Sequence, residues 1–304
     1  MDGSKLSISP SELYARLGTA AAPIVVDVRR PAAFSAANRL IIAATYQHPE
    51  EVDRWRHDLS AGCAVVAYCE HGHEVSRGVV AALGATGIDA AYLAGGIAAW
   101  REDGLPTRRK IGTAGGTWVT RERPKIDRIA CPWLITRFID PQAEFVYVPA
   151  SEVLAFAKRT GATPYDIDGV EFSHEGEHCS FDTILRIYDV HDPALDHLAR
   201  IVRGADTSRH DLTPQCGGLF AISLGLSANF AQDHEMLKHG MVIYDALYTW
   251  CRSLQEERHN WPPAKPAPTI QNRADDSTNF HHAASMRPTQ QTSANAERGA
   301  ATGP

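Results

Sequence analysis

Cys69 ends the apolar run Ala64-Val65-Val66-Ala67-Tyr68 and is followed at once by Glu70-His71-Gly72-His73-Glu74-Val75-Ser76, after which Ser76 to Leu83 has helical apolar spacing. A buried strand that delivers a cysteine into a tight loop ending on a helix N-terminus would produce this pattern. Unpaired N–H groups and the helix dipole favour an anion there. An ordinary thiol ionises near about 8.5, and such a position lowers that value toward neutrality, so Cys69 is expected to be a catalytic thiolate. Most free cysteines are buried hydrophobes, and Cys63 and Cys251, set among apolar neighbours, read that way. Cys69 differs because it sits in a polar, glycine-containing loop at the carboxyl end of a strand, where open parallel sheets bind ligands.

A second set of chemical groups lies further along. If Ile126 to Ile139 is helical, Arg128 and Cys131 share a face with Asp127 adjacent, and a cationic fork could hold an oxyanion beside a thiol. A capping Asp127, a surface Arg128 and a buried Cys131 explain the same residues equally well, and Pro132 would distort the helix. Glu171, His174, His178 and Cys179 form the densest group of potential ligands, with Asp233 and His234 available from a later helix. Carboxylate, imidazole and thiolate together could hold zinc or a redox metal, whose identity the spacing leaves unknown. Asp182 could instead cap the helix that follows, and Cys216 reads as packing.

These residues must be positioned by two kinds of architecture. From Ser9 to Pro106 strands (Pro23 to Val28, Ala64 to Cys69, Ala90 to Leu93) alternate with helices, the first announced by Ser9-Pro10-Ser11-Glu12, which argues for an α/β domain with a largely parallel sheet flanked by helices. This domain is placed at 8–108. Residues 109–116, glycine-rich and preceded by basic residues, are expected to be a linker, with Arg108-Arg109-Lys110 a solvated hinge rather than an anion contact. Residues 117–256 read as a helix-rich α+β domain, with helices over Ser151 to Thr160, Phe181 to Tyr188, Ala194 to Arg203 and Asp233 to Trp250, and strands over Glu144 to Val148 and Val170 to Ser173. The stretch 257–304 is poor in large apolar residues and is expected to be a disordered C-terminal tail.

Composition narrows the classes. A net charge of -6 over 304 residues offers no overall footprint for nucleic acid. No apolar run approaches the roughly 20 residues that span a bilayer, and the start lacks a signal pattern, so no membrane association and a cytoplasmic location are expected. Six scattered cysteines do not form a disulfide framework.

Asp27-Val28-Arg29, Tyr68-Cys69-Glu70-His71-Gly72 and Leu93-Ala94-Gly95-Gly96-Ile97-Ala98-Ala99-Trp100, closing with Gly104-Leu105-Pro106, resemble the rhodanese domain of sulfurtransferases. The resemblance implies that Cys69 takes a sulfane sulfur from thiosulfate or a persulfide, holds it as a cysteine persulfide and passes it to a thiol acceptor, with no cofactor required. The donor and acceptor are then small molecules or proteins. The loop from Glu70 to Ser76 would be the anion nest. Arg29 either lends charge at the pocket edge as a substrate-binding group or pairs with a carboxylate of the sheet, and Asp27 reads as a structural acceptor. Many members carry a basic residue where this chain has Glu74 or Val75. Glu70 and Glu74 should repel dianionic thiosulfate unless His71 and His73 are protonated, so a persulfide donor is favoured. Phosphatases with a similar loop need an arginine where this chain has Val75, which argues against that chemistry.

Thr117-Trp118-Val119-Thr120-Arg121, Arg123 to Ile135, Asp166-Ile167, Gly169-Val170-Glu171-Phe172-Ser173-His174, Cys179-Ser180-Phe181-Asp182, Arg203-Gly204-Ala205-Asp206 and Tyr244-Asp245-Ala246-Leu247-Tyr248 resemble the C-terminal domain of the chromate-resistance protein B family. The resemblance implies a setting in chromate resistance and a role in sensing or handling chromate, while residue type and spacing make Asp127, Arg128, Cys131, Glu171, His174, Cys179 and Asp233 the second domain's candidate site for an oxyanion or a metal. The family's fuller form begins with a segment thought to support transcriptional regulation, where this chain has the rhodanese-like unit. A sulfurtransferase is therefore the expected function, with a chromate-responsive regulator or redox sensor as the alternative.

Overall fold

The computed structural model describes residues 6–59, 62–112 and 115–256; the tail expected at 257–304 lies outside them. The first half runs β1 (Ser7–Ile8), α1 (Pro10–Arg16), β2 (Ile24–Asp27), α2 (Pro31–Ala36), β3 (Arg39–Ile41), β4 (Ala44–Tyr46), α3 (Val52–Trp55), β5 (Val65–Tyr68), α4 (Glu74–Ala85), β6 (Ala90–Leu93), α5 (Gly96–Glu102) and β7 (Thr107–Arg109). Five strands form a parallel sheet in the order β1-β6-β5-β2-β4. The Ser9 hydroxyl and the Glu12 carboxylate cap α1 reciprocally, as their spacing announces.

Strand alternation decides how the sheet is covered. Val26, Val65 and Ala67 point to the face packed by Val79, Val80 and Leu83 of α4. Val25, Val66 and Tyr68 point to the other face, whose core includes Leu13, Leu17 and Trp100. Burial on both faces is why these strands read as continuous apolar runs.

The second half runs β8 (Thr117–Arg121), α6 (Asp127–Leu134), β9 (Glu144–Val148), α7 (Val153–Thr160), β10 (Thr163–Pro164), α8 (Ser180–Tyr188), α9 (Pro193–Asp206), α10 (Gln215–Asn229) and α11 (Asp233–Ser253). A parallel β10-β8-β9 sheet backs the helices. Helix α10 escaped the sequence reading because its apolar residues are spread around it, interrupted by Gly217, Gly218 and Gly225. The helix expected through Ile139 gives way after Leu134 to a wider π turn, Ile135–Ile139, just beyond Pro132, which has no N–H for the helical ladder. Val170 to Ser173 is not a strand, since Phe172 makes only a single bridge with Tyr165.

Two further expectations are corrected. The basic run after Pro106 is not a solvated hinge: β7 pairs antiparallel with β3, Arg108 is buried and donates to the Ala44 carbonyl at 2.9 Å, and Lys110 Nζ sits 4.3 Å over the Phe34 ring. Cys63 is exposed, because its position just before β5 lies at the sheet's end, whereas Cys251 is buried.

Both halves belong to one compact unit and share a core in which Ile41, Leu17 and Trp100 join Trp133, Phe138 and Tyr248. Asp192 accepts from the hydroxyls of Tyr14 (2.5 Å) and Tyr248 (3.3 Å). Arg252 donates to the carbonyls of Tyr14, Ala15 and Leu17, satisfying the end of α1. Among the described residues, no helix is long and apolar enough to cross a membrane.

Candidate functional site

Cys69 follows β5 directly, and its main chain is held by α5: Ile97 N–H donates to the Cys69 carbonyl and Ala98 N–H to that of Glu70, each at 3.0 Å. This approach requires glycine at position 96. A Cβ there would lie 2.4 Å from the Cys69 carbonyl oxygen, and φ is +62°. Gly72, at φ +69°, likewise turns the loop where a Cβ would strike the Leu93 carbonyl oxygen at 2.5 Å. Arg77 braces the turn by donating to the Gly72 carbonyl at 3.1 Å.

The loop ends on α4, which begins at Glu74 with no side chain capping it. Its first N–H groups are therefore free to serve the sulfur. Ser76 Oγ lies 3.2 Å from Cys69 Sγ. Burial pushes the Cys69 thiol up, but the Ser76 hydroxyl and the backbone N–H groups of Ser76, His73 and His71 outweigh it and hold the thiol below its ordinary value. Cys69 opens onto a cavity of about 350 Å³ walled by Arg29, Arg30, Ala33, Glu70, His71, His73, Glu74 and Val75.

Arg29 borders this cavity yet is 2% exposed. Its guanidinium forks onto Asp27 at 2.5 to 3.0 Å, donates to the Arg39 carbonyl and reaches Glu70 at 3.5 Å. Burial pulls the Arg29 pKa down, but the hydrogen bond and charge of Asp27 outweigh it and hold it above its ordinary value. Asp27 also accepts from the Arg29 N–H and the Tyr68 hydroxyl, so it is tied into the sheet. Glu70 pairs with Arg101 at 3.3 Å and Glu74 with Arg30 at 2.8 Å. The cavity wall thus carries two guanidinium groups and two carboxylates.

The second-domain candidates separate. Asp127, at the start of α6, and His174 come together, and Arg128 stands behind them, 3.5 Å from Asp166. Of the two readings of Arg128 and Cys131, the anion-holding fork is not built: Arg128 turns to Asp166 and the Glu122 carbonyl, while Cys131 is fully buried, as the alternative had it, its thiol pushed well up by burial. Cys179 is likewise a core thiol pushed up by burial, and the Asp182 carboxylate accepts from its N–H to cap α8. Glu171 is exposed and outside the group, Asp233 accepts from the Arg123 N–H, and His178 pairs with Arg203.

Asp166 and Asp206 complete the cluster, and neither was singled out as a ligand from sequence. His174 Nε2 lies 3.4 Å from Asp127 Oδ2, 3.4 Å from Asp166 Oδ1 and 3.2 Å from Asp206 Oδ2. Donation of its N–H toward the carboxylates of Asp127, Asp166 and Asp206 pushes His174 up to about 12, while burial and the Asp206 charge push Asp127 up to about 7. Burial would also raise Asp166, but His174, Ser180, Arg128 and Arg121 outweigh it and hold it low. This cluster borders a separate cavity of about 580 Å³, which shares no lining residue with that of Cys69. A larger cavity of about 700 Å³, walled by Asp182, Arg186, Arg200 and Arg203, touches neither Cys69 nor His174.

Comparison with known proteins follows the same division. The family described as a rhodanese-like domain matches residues 9–103, and that described as the C-terminal domain of ChrB matches residues 118–251. Protein ChrB of Cupriavidus metallidurans is 30% identical over 146 residues, which are 48% of this chain and 44% of that protein; the match therefore spans less than half of the relative's length. Among solved structures, a rhodanese-related protein from Thermoplasma volcanium is 27% identical over 33% of this chain and 95% of its own, with a TM-score of 0.29. A rhodanese-like domain protein from Staphylococcus aureus is 29% identical over 31% of this chain and 89% of its own, with a TM-score of 0.28. A thiosulfate sulfurtransferase from Pseudomonas aeruginosa is 26% identical over 33% of this chain and 19% of its own, with a TM-score of 0.28. The chain thus joins a rhodanese-like domain, carrying the Cys69 loop, to a ChrB C-terminal domain, carrying the Asp127–His174 cluster.

Proposed function

We propose that the protein is a rhodanese-type sulfurtransferase that carries sulfane sulfur as a persulfide on Cys69, working in the setting of chromate resistance that its ChrB-like domain suggests. The observation that carries this reading is the Cys69 sulfur, set against the Ser76 hydroxyl and the uncapped start of α4, where a thiolate is favoured. The Cys69 thiolate attacks the outer sulfur of a donor persulfide, and the donor's S–S bond breaks with its electron pair leaving on the donor thiolate. The resulting Cys69 persulfide anion is held by the same N–H groups. An acceptor thiolate then attacks the outer sulfur, forms the new S–S bond and releases the Cys69 thiolate.

The balanced charges of the cavity bear on the donor. Arg29 and Arg30 are offset by Glu70 and Glu74, so the wall offers no net positive charge to dianionic thiosulfate. A persulfide carries less charge and suits this wall better. Arg29, committed to Asp27, acts by holding the loop and sheet together rather than by gripping the donor. No cofactor enters the transfer.

Intact-protein mass spectrometry tests the proposal after exposure to thiosulfate or to a small-molecule persulfide. The expected result is a gain of about 32 Da, one sulfur atom, in the wild type and none in Cys69→Ser, with faster loading from the persulfide. A well-folded wild type that gains no mass from either donor would defeat the sulfurtransferase reading and turn attention to a redox-sensing thiol.

A further inference from the structure

Three carboxylates in the second domain surround one imidazole nitrogen, and they arrive from separate elements. Asp127 begins α6, Asp166 follows β10, His174 lies in the loop before α8 and Asp206 ends α9. Such an array can be an ion-pair network or a coordination sphere, and three observations choose between them.

The first is the count of hydrogens. His174 Nε2 bears at most one N–H, yet oxygens of Asp127, Asp166 and Asp206 stand 3.2 to 3.4 Å from it, all longer than a good charge-assisted bond of about 2.7–2.9 Å. For metal–ligand bonds of about 2.1 Å, neighbouring ligands stand roughly 3.0 Å apart in an octahedron and roughly 3.4 Å apart in a tetrahedron. The Asp127 and Asp206 oxygens stand from the imidazole nitrogen at the spacing of coordination vertices. One ligand atom from each of Asp127, His174 and Asp206 lies within 4.8 Å of the others.

The second is an unsatisfied atom. The Asp127 side chain is 1% exposed; its Oδ2 accepts from the Ser180 N–H at 2.6 Å, while Oδ1 is buried with no hydrogen-bond partner. A buried carboxylate with one oxygen left bare is costly, and a cation held by the same carboxylate offsets that cost.

The third is charge. Asp166 is matched by Arg121 at 3.3 Å and Arg128 at 3.5 Å. Asp127 and Asp206 share the single cation that His174 can provide. A divalent ion in place of the imidazole proton would balance both carboxylates. Ser180 Oγ donates to Asp166 Oδ1 at 2.8 Å, the kind of outer hydrogen bond that fixes ligating carboxylates.

We propose that Asp127, His174 and Asp206, with Asp166 beside them, bind a divalent first-row metal ion at the edge of the cavity lined by Arg121, Asp166, Ser173 and His174. Three oxygen and nitrogen donors without a thiolate suit a Mn²⁺- or Fe²⁺-like ion, and Cys131 and Cys179 take no part because both side chains are packed into the core. So few protein ligands leave coordination positions for water or an anionic oxygen ligand from the cavity, where Arg121 adds positive charge. The site is independent of Cys69 and of the sulfur chemistry.

The full chain, stripped with a chelator and dialysed, is titrated with Mn²⁺ while free aqueous Mn²⁺ is followed by electron paramagnetic resonance, and separately with Zn²⁺ followed by elemental analysis. Wild type and Cys69→Ser are expected to bind about one ion per chain of at least one of these metals, with affinity lowered more than about tenfold in Asp206→Asn and in His174→Gln. Circular dichroism verifies that each variant is folded. Asp206, whose side chain is 20% exposed, is the variant that decides should His174→Gln misfold. The proposal is overturned if folded wild type binds neither metal stoichiometrically, or if folded Asp206→Asn binds as tightly as wild type.

Discussion

The Ser76 hydroxyl lies 3.2 Å from the Cys69 sulfur, at the buried first turn of α4. A neutral donor to a thiolate contributes about 1.5–3 kcal/mol, and one pKa unit is about 1.4 kcal/mol. Ser76→Ala should therefore raise the Cys69 pKa by about one unit or more. The folded-state pKa is depressed, so the thiolate fraction falls as pH drops through that value. Alkylation by iodoacetamide should titrate with a midpoint below the ordinary 8.5 or so in wild type, and Ser76→Ala should slow it about tenfold near neutral pH while leaving the alkaline plateau unchanged. Coincident pH profiles would remove Ser76 from thiol activation.

Gly96 sets the other wall of the same loop. Alanine there would place its Cβ 2.4 Å from the Cys69 carbonyl oxygen and 2.6 Å from that of Glu70, both backbone atoms that cannot swing aside, at a φ of +62°. Gly96→Ala should cost about 2–4 kcal/mol and disrupt sulfur loading on Cys69. Urea denaturation measures the first effect and mass spectrometry the second. A variant of wild-type stability would mean that α5 shifts without penalty.

What was legible in the sequence was local. The strand Ala90–Leu93, the Ser9–Glu12 cap and the strand, cysteine and loop around Cys69 are contiguous in the chain, so periodicity and residue type expose them. The second cluster was only half legible. Asp127, Asp166, His174 and Asp206 meet through packing of elements far apart in sequence, which periodicity along the chain does not reveal. Cys131 and Cys179 attracted attention as ligand types, but burial had already claimed them. Spacing cannot distinguish a thiol in a core from one in a site.

Asp192 links the two halves: Oδ1 caps α9 through the N–H groups of Ala194 and Leu195, and Oδ2 receives the Tyr14 and Tyr248 hydroxyls. Asp192→Ala loses a cap, about 0.5–2 kcal/mol, and leaves two hydroxyls without their acceptor, about 1 kcal/mol or more each. The shared core predicts a single unfolding transition for the described halves, shifted as a whole by about 2–4 kcal/mol in this variant. Two separate transitions in calorimetry, with only one displaced, would show that the halves unfold independently.

Glu74 offers the sharpest control of donor choice, because its carboxylate stands at the cavity mouth, 79% exposed and paired with Arg30, 66% exposed. That exposed pair adds little to stability. Glu74→Lys changes the local charge by two units and frees Arg30, so a dianion at about 6 Å gains on the order of 1 kcal/mol after screening. Sulfur loading from thiosulfate should accelerate several-fold at low ionic strength, and the gain should shrink as salt rises, whereas a donor of lower charge responds less. Stopped loading reactions read by mass spectrometry at two salt concentrations make this comparison. Equal acceleration of both donors, independent of salt, would place the effect in loop geometry and overturn the electrostatic account of the preference.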